Sequence, residues 1–549
     1  MRYPFAAAVG LTALFCTSVA RAQWTPPVGI PMPPIGAQET VAMYAGQSGY
    51  QDAGNGPYTH YVNRSSGSCS DSGSGTPAQP RCNIPLNLAA GDVVEVHGGP
   101  YSVSGRPVYT ASGTASRPVF LRGIDDGNGV PIYQNDDRLD FAGSYFIIED
   151  LVIDGTFVRT TAPGGNAGGS FIALRNLEIR NAPSKNGTTL WGNNIVLINS
   201  HIHHHQGDDR HGTTVGENSN DIWIVDNYFH HNGGDAIQFC HGCSAAAPRN
   251  VYVGRNVMHS DRENGVDLKY TQNVVISENT IYAYRFAPQN TNWCFDDNSK
   301  CGVFSSGSDG AAVVIGSDGG PSNVWIILNR IYDANAGIRI EEGYDVWILG
   351  NTIHNIIGES ARAIGLDKNG QPLYIAHNTI SDAGYGIDQN WRENFTLTID
   401  NNIFEDLSFA PIRLESGNVA SSAVLRNNIF WNGGGTLPLV WNTAQSASSS
   451  AQINSITGGS GNIMADPRFV SKTAANFRLQ AGSPGIDAGN NQLAQYDATF
   501  KQRFPGGGTL LRDLDGKNRP LGSGPAYDIG AYESGGGIPP AAPTGLSVQ

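Results

Sequence analysis

An asparagine recurs two residues before a large apolar residue at nearly regular intervals through the middle of the chain. The aligned apolar positions are Ile153, Ile179, Ile202, Phe229, Met258, Ile281, Ile331, Ile353, Ile380, Ile403 and Ile429. They lie 22 to 29 residues apart, apart from one interval of 50. The asparagines are Asn227, Asn256, Asn279, Asn329, Asn351, Asn378, Asn401 and Asn427. A period of this length, with short apolar alternations inside each unit, indicates a solenoid.

Each repeat has room for about three short strands, which predicts an all-β chain folded as a right-handed parallel β-helix of about 11 to 13 coils. Stacked coils bury a continuous apolar core that no single coil can bury alone. The asparagine suits a turn because its amide can donate to and accept from the asparagine of the next coil. In the long interval, we expect a hidden coil marked by Ala311–Ile315, together with a long loop.

Composition limits the partners of this chain. It has 549 residues, 69 of them glycine, and a formal net charge of −14. The acidic balance argues against nucleic acid as a partner, but it permits a local cationic site for an acidic polysaccharide. Residues 1–22 have the pattern of a cleaved secretory signal, so we expect a secreted, periplasmic or cell-surface protein without a membrane span. We also expect a monomer.

The remaining chain divides by composition and pattern. Residues 23–90 read as a Pro-rich linker followed by an N-terminal cap segment, and residues 91–440 carry the coils. Residues 441–535 resemble the C-terminal end module of many secreted bacterial β-helix proteins, which implies a cap on the last coil. Residues 536–549 resemble a linker and the first strand of a fibronectin type III domain.

Six cysteines follow the signal segment in three close pairs. We expect the disulfides Cys69–Cys82, Cys240–Cys243 and Cys294–Cys301, which would pin loops of an exported protein. The alternative for the run Cys240-His241-Gly242-Cys243 is a zinc site.

Aligning one strand of each coil gives a column of side chains that point outward. This column consists of Gln238, Asp267, Val314, Arg339, Gly365, Asp388 and Arg413, and Lys269 and Glu341 stand at the adjoining turn. Mixed charges on one face suit a uronic-acid polymer, although any solvated solenoid surface is polar. We interpret Gln238, His241, Glu341, Asp388 and Arg413 as candidate substrate-binding residues.

The run Glu263-Asn264-Gly265-Val266-Asp267-Leu268-Lys269 resembles the pectate-lyase-type superfamily of polysaccharide lyases. Glu263, Asn264 and Asp267 resemble the acidic calcium-binding run of one pectate lyase family. Lys269, Thr271 and Asn273 resemble the Lys-Ser-x-x-Asn strand of the chondroitinase B and alginate lyase family, in which that lysine is the base. The resemblance implies β-elimination on a uronate polymer, catalysed by Lys269 with Asp267 and Arg339. Calcium would be held by Glu263, Asp267 and Asp235.

The resemblance is incomplete, because Val314 stands where both families place a basic residue in the next coil. Two other functions therefore stay open. A glycoside hydrolase on the same fold would use a carboxylate pair such as Asp267 with Glu341 or Asp388. A non-catalytic glycan-binding surface protein would leave the polymer intact.

A histidine-rich run provides a second candidate site. It contains His201, His203, His204, His205 and His211, and it is followed by His230 and His231. His203, His230, His259 and His354 share one position in successive repeats. Either several imidazoles converge on a metal ion, or they form a surface stack at one corner of the solenoid.

Overall fold

The computed structural model describes residues 24–534 with short gaps, and it confirms an all-β parallel solenoid. The undescribed residues are 1–23, 136, 163–167, 241–246, 317–318, 359–360, 368–371, 390–395, 415–422, 442, 457, 521–525 and 535–549, and only the backbone is described at 438–445. The predicted signal peptide and the predicted fibronectin-like tail therefore lie outside the described residues. Three parallel sheets run along the solenoid, and the chain visits them in the same order in each coil.

The first sheet carries the outward column. Its strands are Asn87–Ala89, Val108–Ser112, the start of Arg138–Glu149, Phe157–Thr161, Thr188–Leu190, Thr213–Val215, Ile237–Phe239, Val266–Leu268, Ala311–Ile315, Ala336–Ile340, Arg362–Leu366, the ends of Thr379–Gln389 and Ile403–Leu414, and Leu437–Trp441. Its inward side chains, such as Ile237, Val266 and Ile338, are fully buried in the apolar core.

The second sheet is buried on both faces. Its strands are His60–Asn63, Val93–His97, Val119–Gly123, the end of Arg138–Glu149, Gly169–Arg175, Gly192–Ile198, Asn220–Val225, Arg249–Gly254, Gln272–Ser277, Ser322–Ile327, Tyr344–Leu349, Leu373–Ala376, Leu397–Asp400, Ala423–Arg426 and Gly459–Ser460. Its outer side chains, including Trp223, Trp325 and Trp347, belong to a second apolar cluster that neighbouring chain segments cover.

The third sheet carries the periodic apolar positions. Its strands are Tyr101–Val103, Ile132–Asn135, Val152–Asp154, Glu178–Arg180, His201–His203, Tyr228–His230, Val257–His259, Thr280–Tyr282, Arg330–Ala334, Thr352–Ile356, the starts of Thr379–Gln389 and Ile403–Leu414, Ile429–Trp431 and Ile463–Met464. The aligned residues from Ile153 to Ile380 are direct neighbours in this sheet.

One step of the predicted alignment is wrong by one residue. Ile380 lies beside Phe404, not beside Ile403, whereas the predicted pairing of Ile403 with Ile429 is confirmed and places Phe404 beside Phe430. The buried asparagine ladder accordingly continues from Asn378 through Asn402 and Asn428, each amide oxygen accepting a backbone N–H at 2.9 Å. Both corners contain two consecutive asparagines. The second asparagine of each pair belongs to the ladder. This register places the phenylalanine of the following Ile-Phe dipeptide inside the core.

The hidden coil is also a wrong prediction. Ala311–Ile315 pairs directly with Val266–Leu268, and Ile281 pairs with Ile331, so the long interval is one coil plus an insertion. This insertion, residues 286–310, contains the antiparallel hairpin Thr291–Cys294 and Cys301–Phe304. We refer to it as the insertion loop.

The segments predicted as linker and end cap lie along the side of the solenoid. Ile30 and Ile35 are buried at 1% exposure, and the indole of Trp223 donates to the carbonyl of Pro31 at 2.9 Å. Helix α2 (Gln492–Arg503), which follows the short helix α1 (Ser450–Asn454), places Phe500 against Trp325. Apolar area on the second sheet would otherwise face water, and its burial explains why both segments pack there.

The remaining elements are short. They are the 3-10 helices Val41–Tyr44 and Lys472–Ala474, the paired strands Gln51–Asp52 and Pro57–Tyr58, the strand Thr443–Ala447, and the paired strands Phe469–Ser471 and Asn476–Leu479. Within the described part of the chain, no helix has the length and apolarity needed to cross a membrane.

Candidate functional site

The outward column of the first sheet has the predicted register. Thr189, Thr214, Gln238, Asp267, Val314, Arg339, Gly365, Asp388 and Arg413 are successive strand partners. At the usual distance between neighbouring strands, the column extends for about 38 Å along the solenoid. Parallel pairing places the same position of every coil on one line, so a polymer could follow it.

A groove opens at one end of this column. Its volume is about 420 Å³, and Thr189, Trp191, His211, Thr214 and Gln238 contribute to its lining. The partly exposed Trp191 ring lies among polar and charged lining residues, including Arg210 and Glu217, so the groove offers a ligand both an aromatic surface and polar groups.

Asp267 and Lys269 form an ion pair next to the groove. Lys269 Nζ lies 3.2 Å from Asp267 Oδ2, and the two residues are only 7% and 5% exposed. Gln238, the strand neighbour of Asp267, also lines the groove. The structure thus places a buried cation and its partner carboxylate one strand away from a residue that lines the groove.

His211 lies between two carboxylates at the same end of the column. Its Nδ1 is 3.2 Å from Asp235 Oδ2, and its Nε2 is 3.4 Å from Asp209 Oδ1. Burial lowers the pKa of His211, but hydrogen bonds to Asp209 and Asp235 outweigh this effect and raise the pKa to about 10. Burial and the charge of Asp235 raise the pKa of Glu263 above its usual range. Carboxylates therefore crowd together here.

The side-chain oxygen atoms around Asp235 suit a hard cation. Gln238 donates its amide to Asp235 at 3.2 Å, while its buried Oε1 has no hydrogen-bond partner among the described residues. Carboxylate and amide oxygens are the ligands that calcium prefers, so this donor set fits the predicted calcium ion.

The predicted calcium ligands do not all meet in one place. Asp209, His211 and Glu263 form a cluster with ligand atoms within 4.8 Å of one another, whereas no such cluster among the described residues contains Asp267. Asp235 contacts His211, and Asp267 contacts Lys269 in the adjacent coil. Asp209 was not predicted as a ligand, and no repeat pattern could have revealed it.

Arg339 and Glu341 lie further along the column. Val314 separates Arg339 from Asp267, so about 10 Å of strand spacing lies between them. Three carboxylates surround the guanidinium: Asp367 at 2.7 Å, Glu341 at 3.1 Å and Asp309 from the insertion loop. Arg339 is therefore not in contact with Lys269.

Asp388 and Arg413 are held by each other. Arg413 donates to both carboxylate oxygens of Asp388, and it also donates to Tyr385 Oη at 3.0 Å. Asp388 is fully buried in this bidentate pair, so its carboxylate is poorly placed to contact a substrate.

Two of the predicted disulfides are present. Cys69 is bonded to Cys82, and Cys294 is bonded to Cys301. Cys240 is also disulfide-bonded, which excludes the zinc alternative because a bridged sulfur is no thiolate ligand. Cys243 and the predicted substrate-binding His241 lie outside the described residues.

The histidine column forms the predicted stack. His203, His230, His259, Tyr282, Tyr332 and His354 are successive partners in the third sheet. Their neighbouring rings are parallel within 21°, with centroids 4.7 to 5.3 Å apart. Burial lowers the pKa of His259 to about 4, so this ring is neutral at pH 7.

The comparisons with known proteins agree with the fold. A family model described as "Right handed beta helix region" matches residues 289–455. The A-module of mannuronan C-5 epimerase AlgE6 from Azotobacter vinelandii is 17% identical, with 69% of this chain and 91% of that chain covered and a TM-score of 0.43.

Two solved lyases are similar to the same degree. The PL6 family alginate lyase AlyGC is 14% identical, with 72% of this chain and 54% of that chain covered and a TM-score of 0.49. Pectate lyase Pel9A is 14% identical, with 87% and 96% covered and a TM-score of 0.37. No curated protein matches the sequence. At these identities the similarity shows the fold alone.

Proposed function

We propose that the protein is exported and cleaves a uronate-containing polysaccharide by β-elimination, with Lys269 as the base. The observation that carries this proposal is the Lys269–Asp267 ion pair beside the groove, one coil away from the oxygen donors of Asp235 and Gln238. A basic side chain and a cluster of hard oxygen ligands are the two groups that this elimination needs.

The chemistry sets a separate task for each group. Removing the proton α to a carboxylate creates negative charge, which must be neutralised in the transition state. A calcium ion held by Asp235, Glu263 and the Gln238 amide oxygen would supply this neutralisation, and Asp267 would join these ligands only by turning away from Lys269. Lys269 would remove the proton, and Asp267 would control how readily the amine of Lys269 accepts that proton.

The ion pair suggests how Lys269 becomes a base. A carboxylate 3.2 Å away favours the protonated ammonium. If Asp267 turns towards a cation, its carboxylate moves away from Lys269 Nζ and no longer favours the protonated amine. Substrate and ion binding would thus prepare the base together.

The groove and the column would hold the polymer. Trp191 would pack against one sugar ring, and the Thr189 and Thr214 hydroxyls would bind its polar groups. We propose Arg339 and Glu341 as contacts to more distant sugars along the column, since Val314 separates them from Lys269.

A non-catalytic glycan-binding function is the second candidate. Val314 occupies the column position next to Asp267, where a second basic group would otherwise stand, and three carboxylates already surround Arg339. A hydrolase has less support, since Arg413 holds the carboxylate of Asp388.

The test is a screen of polymannuronate, polyguluronate, polygalacturonate and chondroitin for unsaturated products, followed by ultraviolet absorbance, and for new reducing ends. We expect unsaturated ends with at least one polymer and a loss of about 100-fold or more in kcat for Lys269→Gln. Lys501→Gln, on helix α2, is the control and should keep full activity. Reducing ends without unsaturation would indicate a hydrolase, and binding without cleavage would indicate the non-catalytic protein.

A further inference from the structure

Two histidines of the coils face two carboxylates of the insertion loop. His204 Nε2 lies 2.9 Å from Asp297 Oδ2, and His231 Nε2 lies 2.6 Å from Asp296 Oδ1. His231 Nε2 is also 3.7 Å from Asp297 Oδ2. Four side chains from three separate parts of the chain therefore point into one small space.

The aromatic stack does not account for His204 and His231. The stacked column consists of residues one position earlier, including His203 and His230. His204 and His231 follow at the turn with φ angles of 60° and 57°, which direct their rings away from the column. Their rings lie parallel within 13°, with centroids 5.2 Å apart, and both present Nε2 to the insertion loop.

A chain of hydrogen bonds orients His204. Glu178 lies 3.3 Å from His203 Nε2, so a neutral His203 donates from Nε2 and accepts at Nδ1. His203 Nδ1 is 2.5 Å from His204 Nδ1, which therefore carries the proton and leaves a lone pair on Nε2. That lone pair points at the Asp297 carboxylate, and two acceptors at 2.9 Å must share either a proton or a metal ion.

His231 is supported in a similar position. Its Nδ1 lies 2.6 Å from Nδ1 of His230, which leaves Nε2 for the carboxylates. Asp296 is supported as well, since its second oxygen accepts from Ser260 Oγ at 2.9 Å. Metal-binding imidazoles and carboxylates are commonly fixed by such contacts to their other polar atom.

We propose that His204, His231, Asp296 and Asp297 bind one divalent transition-metal ion, with zinc as the best match. Imidazole nitrogen together with carboxylate oxygen suits zinc and its neighbours, whereas calcium prefers oxygen alone. Tetrahedral zinc keeps its ligand atoms about 3.3 Å apart, given bonds of about 2.0 to 2.2 Å. The separations of 2.6, 2.9 and 3.7 Å bracket that value, so small side-chain rotations suffice.

The ion would fasten the insertion loop to the solenoid. Both aspartates lie in the six-residue turn of the hairpin that Cys294–Cys301 closes. Further along the same loop, Ser306 accepts from Arg262 at 2.7 Å and donates its backbone N–H to Asp208 at 3.2 Å. Asp208 precedes Asp209, which lines the groove, so the metal site would fix a loop that contacts the edge of the groove.

The test is calorimetric titration of zinc into metal-free full-length protein in the presence of excess calcium. We expect one strong zinc site that calcium does not displace, and at least tenfold weaker binding in His231→Gln and Asp297→Asn. Two matched controls, His354→Gln in the aromatic stack and Asp209→Asn in the oxygen cluster, should keep wild-type affinity.

Two results would overturn the proposal. One is a wild-type protein with no zinc binding in the micromolar range, and the other is unchanged binding in the double variant His204→Gln/His231→Gln. If the histidine variants fold poorly, Asp297→Asn still tests the proposal, because Asp297 is exposed and its substitution should not disturb the fold. Cobalt offers a second measurement, because its visible absorption reports tetrahedral coordination. None of these measurements depends on activity towards a polysaccharide.

Discussion

Lys269 Nζ and Asp267 Oδ2 lie 3.2 Å apart on one strand, and both side chains are buried although they point away from the apolar core. Their pairing makes each charge tolerable outside water, since an isolated buried charge costs several kcal/mol. The same ion pair therefore affects both the stability of this coil and the reactivity proposed for Lys269.

Removing one partner of this pair should destabilise the fold. We expect Asp267→Asn to lower the free energy of unfolding by about 3 kcal/mol, because the buried Lys269 charge loses the carboxylate 3.2 Å away. The double variant Asp267→Asn/Lys269→Met should recover most of that loss, because both charges are gone. Urea unfolding measures all three proteins. A single variant within 0.5 kcal/mol of wild type would show that the pair is not buried in solution.

Calcium removal should abolish cleavage reversibly. A chelator takes away the positive charge that the proposed elimination requires, and added calcium should restore the activity. Glu263→Gln should raise the calcium concentration needed for half-maximal activity by about tenfold, since one ligand loses its charge. Asp388→Asn, whose carboxylate is paired with Arg413, should leave that concentration unchanged. Full activity in the presence of the chelator would exclude a calcium role.

The asparagine ladder should contribute strongly to stability. Asn402 accepts from the backbone and the amide of Asn378 and donates to the Ile375 carbonyl, all without solvent access. Asn402→Ala leaves these groups unpaired and should cost about 3 kcal/mol or more. The control is Asn432→Ala, which removes one long bond of 3.4 Å outside the ladder. Equal unfolding midpoints for the two variants would contradict the ladder's importance.

Stability should fall as the pH drops below about 6.5. Burial lowers the pKa of His205 to about 3 and that of His377 well below its usual value. These histidines therefore take up protons near pH 6.5 in the unfolded chain but not in the folded chain. Each one lowers the free energy of unfolding by about 1.4 kcal/mol for every pH unit below that value. The loss continues until the folded pKa is reached.

His205→Gln tests this directly. Urea unfolding gives the free energy of unfolding at each pH between 6.5 and 5. In the variant, this free energy should change less steeply with pH than in wild type, by the equivalent of about one proton. This window lies above the range in which most carboxylates titrate. An identical slope in the variant would mean that His205 is protonated in the folded protein.

The periodic pattern of the sequence by itself determines the fold and most of the column. In a parallel solenoid every coil repeats the same register, so alternation within one coil places Gln238, Asp267 and Arg339 on one line. The alignment failed only where the local sequence offers two equivalent choices, at Asn401–Asn402 and Asn427–Asn428. Burial of Phe404 and Phe430 resolves that ambiguity, because only one register puts both rings inside.

Tertiary structure alone decided what surrounds that column. Asp309 meets Arg339 and Asp297 meets His204, and each contact joins the insertion loop to a coil. Such contacts depend on the path of a loop that follows no repeat, so no spacing in the sequence predicts them. The same holds for the N-terminal segment, whose prolines suggest a linker until the apolar outer face of the second sheet supplies a surface that buries Ile30 and Ile35. The repeat specifies positions within a coil, and long-range packing specifies which charges those positions meet.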